Sequence, residues 1–225
     1  MSRLEGFRPG KALTAQAGAA LVVVLSLAAW QFGRGLDKTA LANERAERLG
    51  AEPVNAAALR ADAPDFVRVA LVGEYDQERQ FFVAARQPGG VEAWSVLDTP
   101  EGAFLVNRGR LANPAAPPTG QVSAIGVLWP SVPVTVYASQ QAWPDGWPKD
   151  VRWADPQRMA AATGAYPREI RLEQGSPGVS MPASLAWDYS PGMHWGYTAQ
   201  WLLIGAAVVG GYVVIGLRRG RGSGG

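Results

Sequence analysis

The chain has no cysteine and a single histidine, His194. Without cysteine there can be no disulfide scaffold, thiolate zinc or iron–sulfur site, cysteine nucleophile, thiol copper carrier or covalent c-type haem attachment. One imidazole also rules out metal sites that need several histidine or cysteine ligands. No Gly-x-Ser-x-Gly elbow accompanies His194, no P-loop occurs, and no dinucleotide fingerprint follows a strand pattern. The paired carboxylates Asp62/Asp65 and Asp76/Glu78 sit in turn or strand-end contexts and read as solvated surface. A hydrolase or nucleotide enzyme therefore finds no support, and the expectation is a protein that is not an enzyme.

Surplus charge is also scarce, and its location matters. Of the 21 basic residues, six lie in the terminal stretches 1–33 and 195–225 against one acid, leaving 15 basic and 18 acidic side chains in residues 34–194, net −3. Nucleic-acid binding needs a basic stripe on the folded part. A slightly acidic middle gives no nucleic-acid partner.

What the sequence does have is two long uncharged runs, 22 residues from Ala12 to Gly33 and 23 from Trp195 to Leu217. As helices they would be about 33 and 35 Å long, enough for a hydrocarbon core near 30 Å. Membrane lipid is thus an expected partner. For the first run a signal peptide cut near Ser26-Leu27-Ala28 is the competing reading. Against it, the helical pattern continues through Trp30, Arg34 and Lys38 to Leu41 with no breaker.

Arg3, Arg8 and Lys11 precede the first run, and Arg218, Arg219 and Arg221 follow the second. By the positive-inside rule both termini are cytoplasmic, although Arg34 and Lys38 on the outer side blunt the asymmetry. The expected layout is a cytoplasmic N-terminus (1–11), transmembrane helix 1 (12–33), a periplasmic β-rich domain with a helical stalk (34–194), transmembrane helix 2 (195–217) and a cytoplasmic tail (218–225). The location implied is the inner membrane of a bacterium, with the glycine-rich stretch from Gly220 unstructured.

Between the runs the period changes. Residues 36–49 keep helical spacing up to Pro53. Phe66–Tyr75, Gln80–Ala85, Trp94–Leu97, Ala103–Val106 and Val122–Leu128 read as strands, separated by Gly73, Gly89-Gly90, Pro100-Glu-Gly102, Pro117-Pro118 and Pro130. Asp155 as N-cap, Pro156 at the first position and Gly164 past the end delimit a short helix. Pro167–Leu172 is a further candidate strand. Residues 141–148, rich in Trp and Pro, read as a rigid turn plugging the sheet edge. The fold class is membrane α+β: two transmembrane helices flanking a mostly antiparallel β domain with a short helix.

A single histidine can still ligate haem iron axially, because the macrocycle supplies the other four donors. On a helix His194, Tyr197, Thr198 and Trp201 share a face, offering a ligand and two aromatic walls. The same residues also suit an interfacial aromatic belt, which needs no ligand. Composition leaves both readings open.

Four short elements in order resemble a known family. Trp30-Gln31, Arg34 and Lys38 are similar to the Trp-Gln-x-x-Arg-x-x-x-Lys element that closes the first membrane helix of the Surfeit locus protein 1 family, the cytochrome c oxidase assembly factors. Phe66-Val-Arg-Val69 with Gly73-Glu-Tyr75 resembles that family's first strand, and Val106-Asn107-Arg108-Gly109 its Val-Asn-Arg-Gly signature. His194-Trp-Gly-Tyr197-Thr-Ala-Gln200-Trp201 resembles its His-x-x-Tyr-Ala-x-x-Trp entry to the second helix. The chain departs from the pattern at Arg110, where the family usually has Trp, and at Gly192-Met193, where it has Asn-Asn.

The resemblance implies a role in supplying haem a to oxidase subunit I, with haem a synthase a possible further partner. His194 would be the metal ligand, with Tyr197 and Trp201 as walls, Trp30 and Gln31 opposite, and Arg34 and Arg108 for the propionates. For Arg34 the competing role is a lipid headgroup anchor, and for Arg108 a pair within the sheet. Asn107 and Gly109 are expected to shape a turn. The alternative function is a membrane scaffold that stabilises nascent subunit I without binding haem.

Overall fold

Residues 7–60, 62–84 and 90–222 are described by the computed structural model. Arg3, Glu5, Ala85, Gly89 and the tail from residue 223 lie outside them. The chain divides into two units, one holding residues up to Asn43 and from Asp188 onward, the other Glu44–Trp187.

The first unit is a pair of helices. Helix α1 runs Lys11–Gly50 and passes its last turns to the second unit, while the helix that closes the chain, Pro191–Gly222, belongs wholly to the first. Both are long and apolar enough to cross a membrane, each with a mean hydropathy of 1.9. Their contact seam is made of small residues. Val24, Ala28 and Gly35 are buried on α1 and Thr198, Gly205 and Gly216 on the closing helix, with Gly205 against Val24 and Gly216 under Phe7.

A Cβ at Gly205 would rest 3.5 Å from Val24, and one at Gly35 would press to 3.1 Å from the Trp195 indole. Glycine at these places lets a neighbour's side chain lie on the backbone, the usual device of helix pairs in apolar surroundings. Phe32 packs edge-on to Trp195 with centroids 5.3 Å apart, and Tyr212 shares a 3.0 Å hydrogen bond with Thr14. The other faces carry exposed aliphatics such as Val22 and Leu203. The closing helix continues to Gly222, so the expected unstructured stretch from Gly220 is corrected: Gly220–Gly222 are helical, in the turn where Arg219 donates to the Pro9 carbonyl at 2.7 Å.

The second unit is a barrel. Its strands are β1 (Val54–Asn55), β2 (Arg68–Ala84), β3 (Val91–Thr99), β4 (Gly102–Leu111), β5 (Gln121–Leu128), β6 (Lys149–Val151) and β7 (Tyr166–Leu172). With them come the short helices α2 (Val136–Gln140) and α3 (Pro156–Thr163); the closing helix of the chain is α4. Pairing runs β2-β3-β4-β7-β5 and returns from β5 to β2, which closes the sheet on itself. Four of these ladders are antiparallel and β4–β7 is parallel. Outside the ring, β1 and β6 add parallel to β2.

Alternation fills the interior with Val69, Leu71, Tyr75, Leu97, Phe104, Val106, Val122, Ala124, Leu128, Ile170 and Leu172. The opposite face of β2–β4 presents Phe81, Trp94 and Leu105 to Met159 and Ala160 of α3. There the Trp/Pro loop acts as cover: Trp143 and Trp147 pack edge-on to Phe81 at 5.3 and 5.1 Å, and the chain then lays β6 along Phe81–Val83. Helix α3 has the expected caps, Asp155 accepting from the Arg158 N–H and Gly164 left-handed at φ 70°.

Two expectations need correction. The strands expected at Phe66–Tyr75 and Gln80–Ala85 form the single strand β2, interrupted by a bulge after Tyr75. The Asp76 carboxylate accepts the N–H groups of Glu78 and Arg79, both at 2.7 Å, so the amides the bulge takes from the ladder stay satisfied and the strand resumes. Asp76 is therefore mostly buried and paired with Arg79, not solvated. The second concerns Asn107-Arg108-Gly109, which are no turn. They lie within β4, whose register against β3 slips between Ala93 and Trp94.

The last turns of α1 are fixed to the barrel by a stack of rings and guanidiniums. Phe66, 2% exposed and held at φ 64°, meets Trp129 and Trp187 edge-on at 5.4 and 5.8 Å, with Arg45 of α1 5.2 Å above it. Arg48 donates to the Asp65 carbonyl at 3.1 Å, and Arg68 grips Glu173 through two hydrogen bonds while holding the Ala51 carbonyl. A positive φ at a non-glycine residue is costly and persists only when packing determines it. Two aromatic contacts and a cation–π contact do so here.

Candidate functional site

His194 lies in the first unit, within the first turn of α4, since that helix begins at Pro191. Its Nδ1 is 2.7 Å from Oε1 of Gln31 on α1. A carboxamide oxygen can only accept, so in a neutral ring this contact calls for the proton on Nδ1 and leaves the lone pair to Nε2. The His194 carbonyl accepts from Thr198 at 2.9 Å, and the ring remains partly exposed. Seven residues on from Gln31, Lys38 stacks 5.8 Å from the Tyr189 ring. Lys38 belongs beside the site because it repeats Gln31's position two turns later, a spacing visible in the sequence.

Of the proposed walls, Tyr197 is 45% and Trp30 58% exposed, and Trp201 is intermediate. The face expected to hold His194, Tyr197, Thr198 and Trp201 together is thus divided. Thr198 is buried and bonds back to the His194 carbonyl, while Tyr197 stands exposed. Arg34 is exposed and pairs with Asp37 at 3.5 Å, both at the surface, where such a pair contributes little. The donor set fits an axial haem ligand: one imidazole whose Nδ1 meets Gln31 and leaves Nε2 as the other donor, exposed aromatic rings at Trp30 and Tyr197 close by in sequence, and cationic Arg34 and Lys38 one and two turns further along α1. No group of three or more His, Cys, Asp or Glu able to hold a metal ion occurs among the described residues.

Arg108 belongs to the other unit and is 1% exposed. Its Nη2 donates to the Ala115 carbonyl at 2.8 Å, while among the described residues Nε and Nη1 find no partner. Burial pulls this guanidinium below its usual range and pushes the phenol of Tyr75, its electrostatic neighbour, up to about 12. A side chain so enclosed presents no guanidinium to a propionate. Because an unpaired buried charge stabilises poorly, Arg108→Met should leave thermal stability within about 1 kcal/mol of wild type or raise it. A calorimetric loss well beyond that would reveal a partner for Nε or Nη1.

The remaining signature residues build a buried polar bridge. Asn107 Nδ2 donates to Glu92 and, at 2.7 Å, to Glu169, and its Oδ1 accepts the Gly109 N–H at 2.8 Å. Arg171 donates to Glu169 at 2.8 Å and lies 3.7 Å over the Trp129 ring. Burial raises the Glu169 carboxyl above its ordinary range, against the pull of Arg171 and Asn107. Sequence reading missed Glu92, Glu169 and Arg171, whose spacing along separate strands carries no local signal.

Cavities lined by described residues include one of about 490 Å³ beside Ala56, Gly102, Phe104 and Tyr166, and one of about 20 Å³ beside Trp129 and Pro156. Neither includes any of the seven candidate residues.

A search of curated proteins finds no match. A protein-family model described as "SURF1 family" matches residues 18–206, from near the start of α1 to the middle of α4. The match takes in most of α1, the whole barrel, the first half of α4 and all seven candidate residues, and the chain belongs to the SURF1 family.

Proposed function

We propose that this protein is a non-catalytic assembly factor for haem–copper cytochrome c oxidase that holds haem a on His194 and helps its insertion into subunit I. Family membership supports the oxidase role. The haem role rests on a single observation, the lone imidazole whose Nδ1 meets Gln31 and so leaves Nε2 as the nitrogen that could ligate iron. Haem a is cargo here, and its iron supplies an axial position that one nitrogen donor fills. Tyr197, Trp201 and Trp30 cover the macrocycle, and Arg34 with Lys38 neutralises carboxylates at its outer edge. Haem a synthase is the natural donor and subunit I the acceptor.

In this reading α1 and α4 span the bacterial inner membrane, with both termini cytoplasmic and the barrel periplasmic. Lipid covers the exposed aliphatic faces. A scaffold that grips nascent subunit I without haem is the second reading, and one observation favours it: Tyr197 and Trp30, the intended cover of the macrocycle, are exposed and open to a protein partner or to lipid.

Absorption spectra separate the two. Protein purified in detergent from cells that make haem a should carry a haem band, and His194→Ala should lose most of it. A colourless wild type, or a mutant coloured like wild type, selects the scaffold. Orientation has its own test: protease added to spheroplasts should cleave the barrel's loops, and full protection would invert the topology.

A further inference from the structure

We infer that Gln31 is a positioning residue for His194: it holds the ring in the Nδ1–H tautomer and so keeps Nε2 as the nitrogen available to a ligand. Free imidazole populates both neutral tautomers, and the one bearing its proton on Nε2 has no lone pair there to give. A hydrogen bond at the far nitrogen settles the choice and fixes the plane of the ring, as the outer partners of metal-bound histidines do. In this chain that bond is the 2.7 Å contact of Nδ1 with Gln31 Oε1.

The helices give the contact its meaning. Gln31 is on α1 and His194 on α4, 163 residues apart in sequence, so the bond exists only while the two helices are paired. Pairing at this level depends on Gly35, one turn beyond Gln31, whose missing Cβ admits the Trp195 indole. Trp195 directly follows His194 in the chain. Ligand readiness at Nε2 is therefore coupled to helix packing, and a separated pair would present an imidazole of unsettled tautomer and free rotation. The haem part of this inference rests on the reading of His194 as an iron ligand; the tautomer part stands without it.

Because the chain has one histidine, nitrogen NMR of the full-length protein labelled with ¹⁵N-histidine in detergent reports a single ring. In alkaline buffer the wild type should show Nδ1 protonated and Nε2 bare. Gln31→Leu should shift the ring toward the Nε2–H form, Gln31→Glu, which still accepts, should restore the wild-type pattern, and Gly35→Leu should behave like Gln31→Leu. Haemin titrated into the same samples should bind Gln31→Leu about 10- to 100-fold more weakly than wild type. Gln31→Glu should recover that affinity and lower the midpoint potential of the bound haemin.

An Nε2–H ring in the wild type, or a tautomer that Gln31→Leu leaves unchanged, overturns the inference. Should the tautomer follow Gln31 as described while no sample takes up haemin, the positioning stands and the haem reading of His194 falls.

Discussion

Asn107→Asp should remove most of the barrel's stability at neutral pH and return it in acid. The substitution keeps the side chain's shape and its acceptance of the Gly109 N–H, but replaces the amide that donates to Glu92 and Glu169 with another acceptor. Three carboxylates then crowd a site where Glu169 is 5% exposed and Arg171 is the cation bonded to it. Leaving a buried charge uncompensated costs about 3–5 kcal/mol, a large part of a domain's total.

The sign with pH follows from proton counting. Burial already raises the Glu169 carboxyl, and added repulsion in the variant holds a proton there more strongly. The folded state thus binds more protons than the unfolded one between the unfolded carboxylate pKa near 4 and the raised folded value. Stability in the variant should fall as pH climbs through that window and come closest to wild type below it. Thermal melts from acid to mildly alkaline buffer would show this, and a deficit of equal size at every pH would mean that Asn107 acts through shape and not through charge.

Gly109→Val is the second large effect. Gly109 sits inside β4 at φ 77°, where a Cβ would overlap the Met181 carbonyl oxygen and lie 2.7 Å from the Ala183 nitrogen. Both neighbours are backbone, and Met181 is held by the Arg110 N–H at 2.7 Å, so neither side can yield cheaply. Left-handed backbone alone costs a β-branched residue about 1–3 kcal/mol, and the collision should take the total to about 5 kcal/mol or more, enough to prevent folding. Gly146→Ala is the control: its φ is 73° but nothing lies within 4 Å of the added carbon, so a loss of only about 1 kcal/mol is expected. Equal losses for the two variants would assign the whole effect to backbone strain and none to the Met181 contact.

These effects show where sequence reading reaches and where it stops. The two apolar helices, the caps of α3 and the core runs of β2 to β5 and β7 depend on local period and composition, which are visible in a window of a few residues. Closure into a barrel is not, because it requires β2 to change partners along its length, and the bulge that permits this is made by one Asp76 side chain. Asn107-Arg108-Gly109 carries the composition of a turn, yet the glycine serves a close crossing by residues 181–183, some 70 positions away. At the candidate site His194 and Gln31 were both recognisable, but the bond joining them belongs to helix pairing. Arg108 was misleading for the opposite reason: an arginine in a signature looks like an anion contact until its burial is known.

Closure of the sheet also governs how such a protein can meet its client. A ring of strands has no long open edge, and the strands added outside it, β1 and β6, are two and three residues long. An unfolded segment of a nascent subunit therefore finds no backbone template to zip onto, the route by which many chaperones capture extended peptides and by which exposed sheets aggregate. Recognition of an extended segment would have to pass through side-chain surfaces or through the helices.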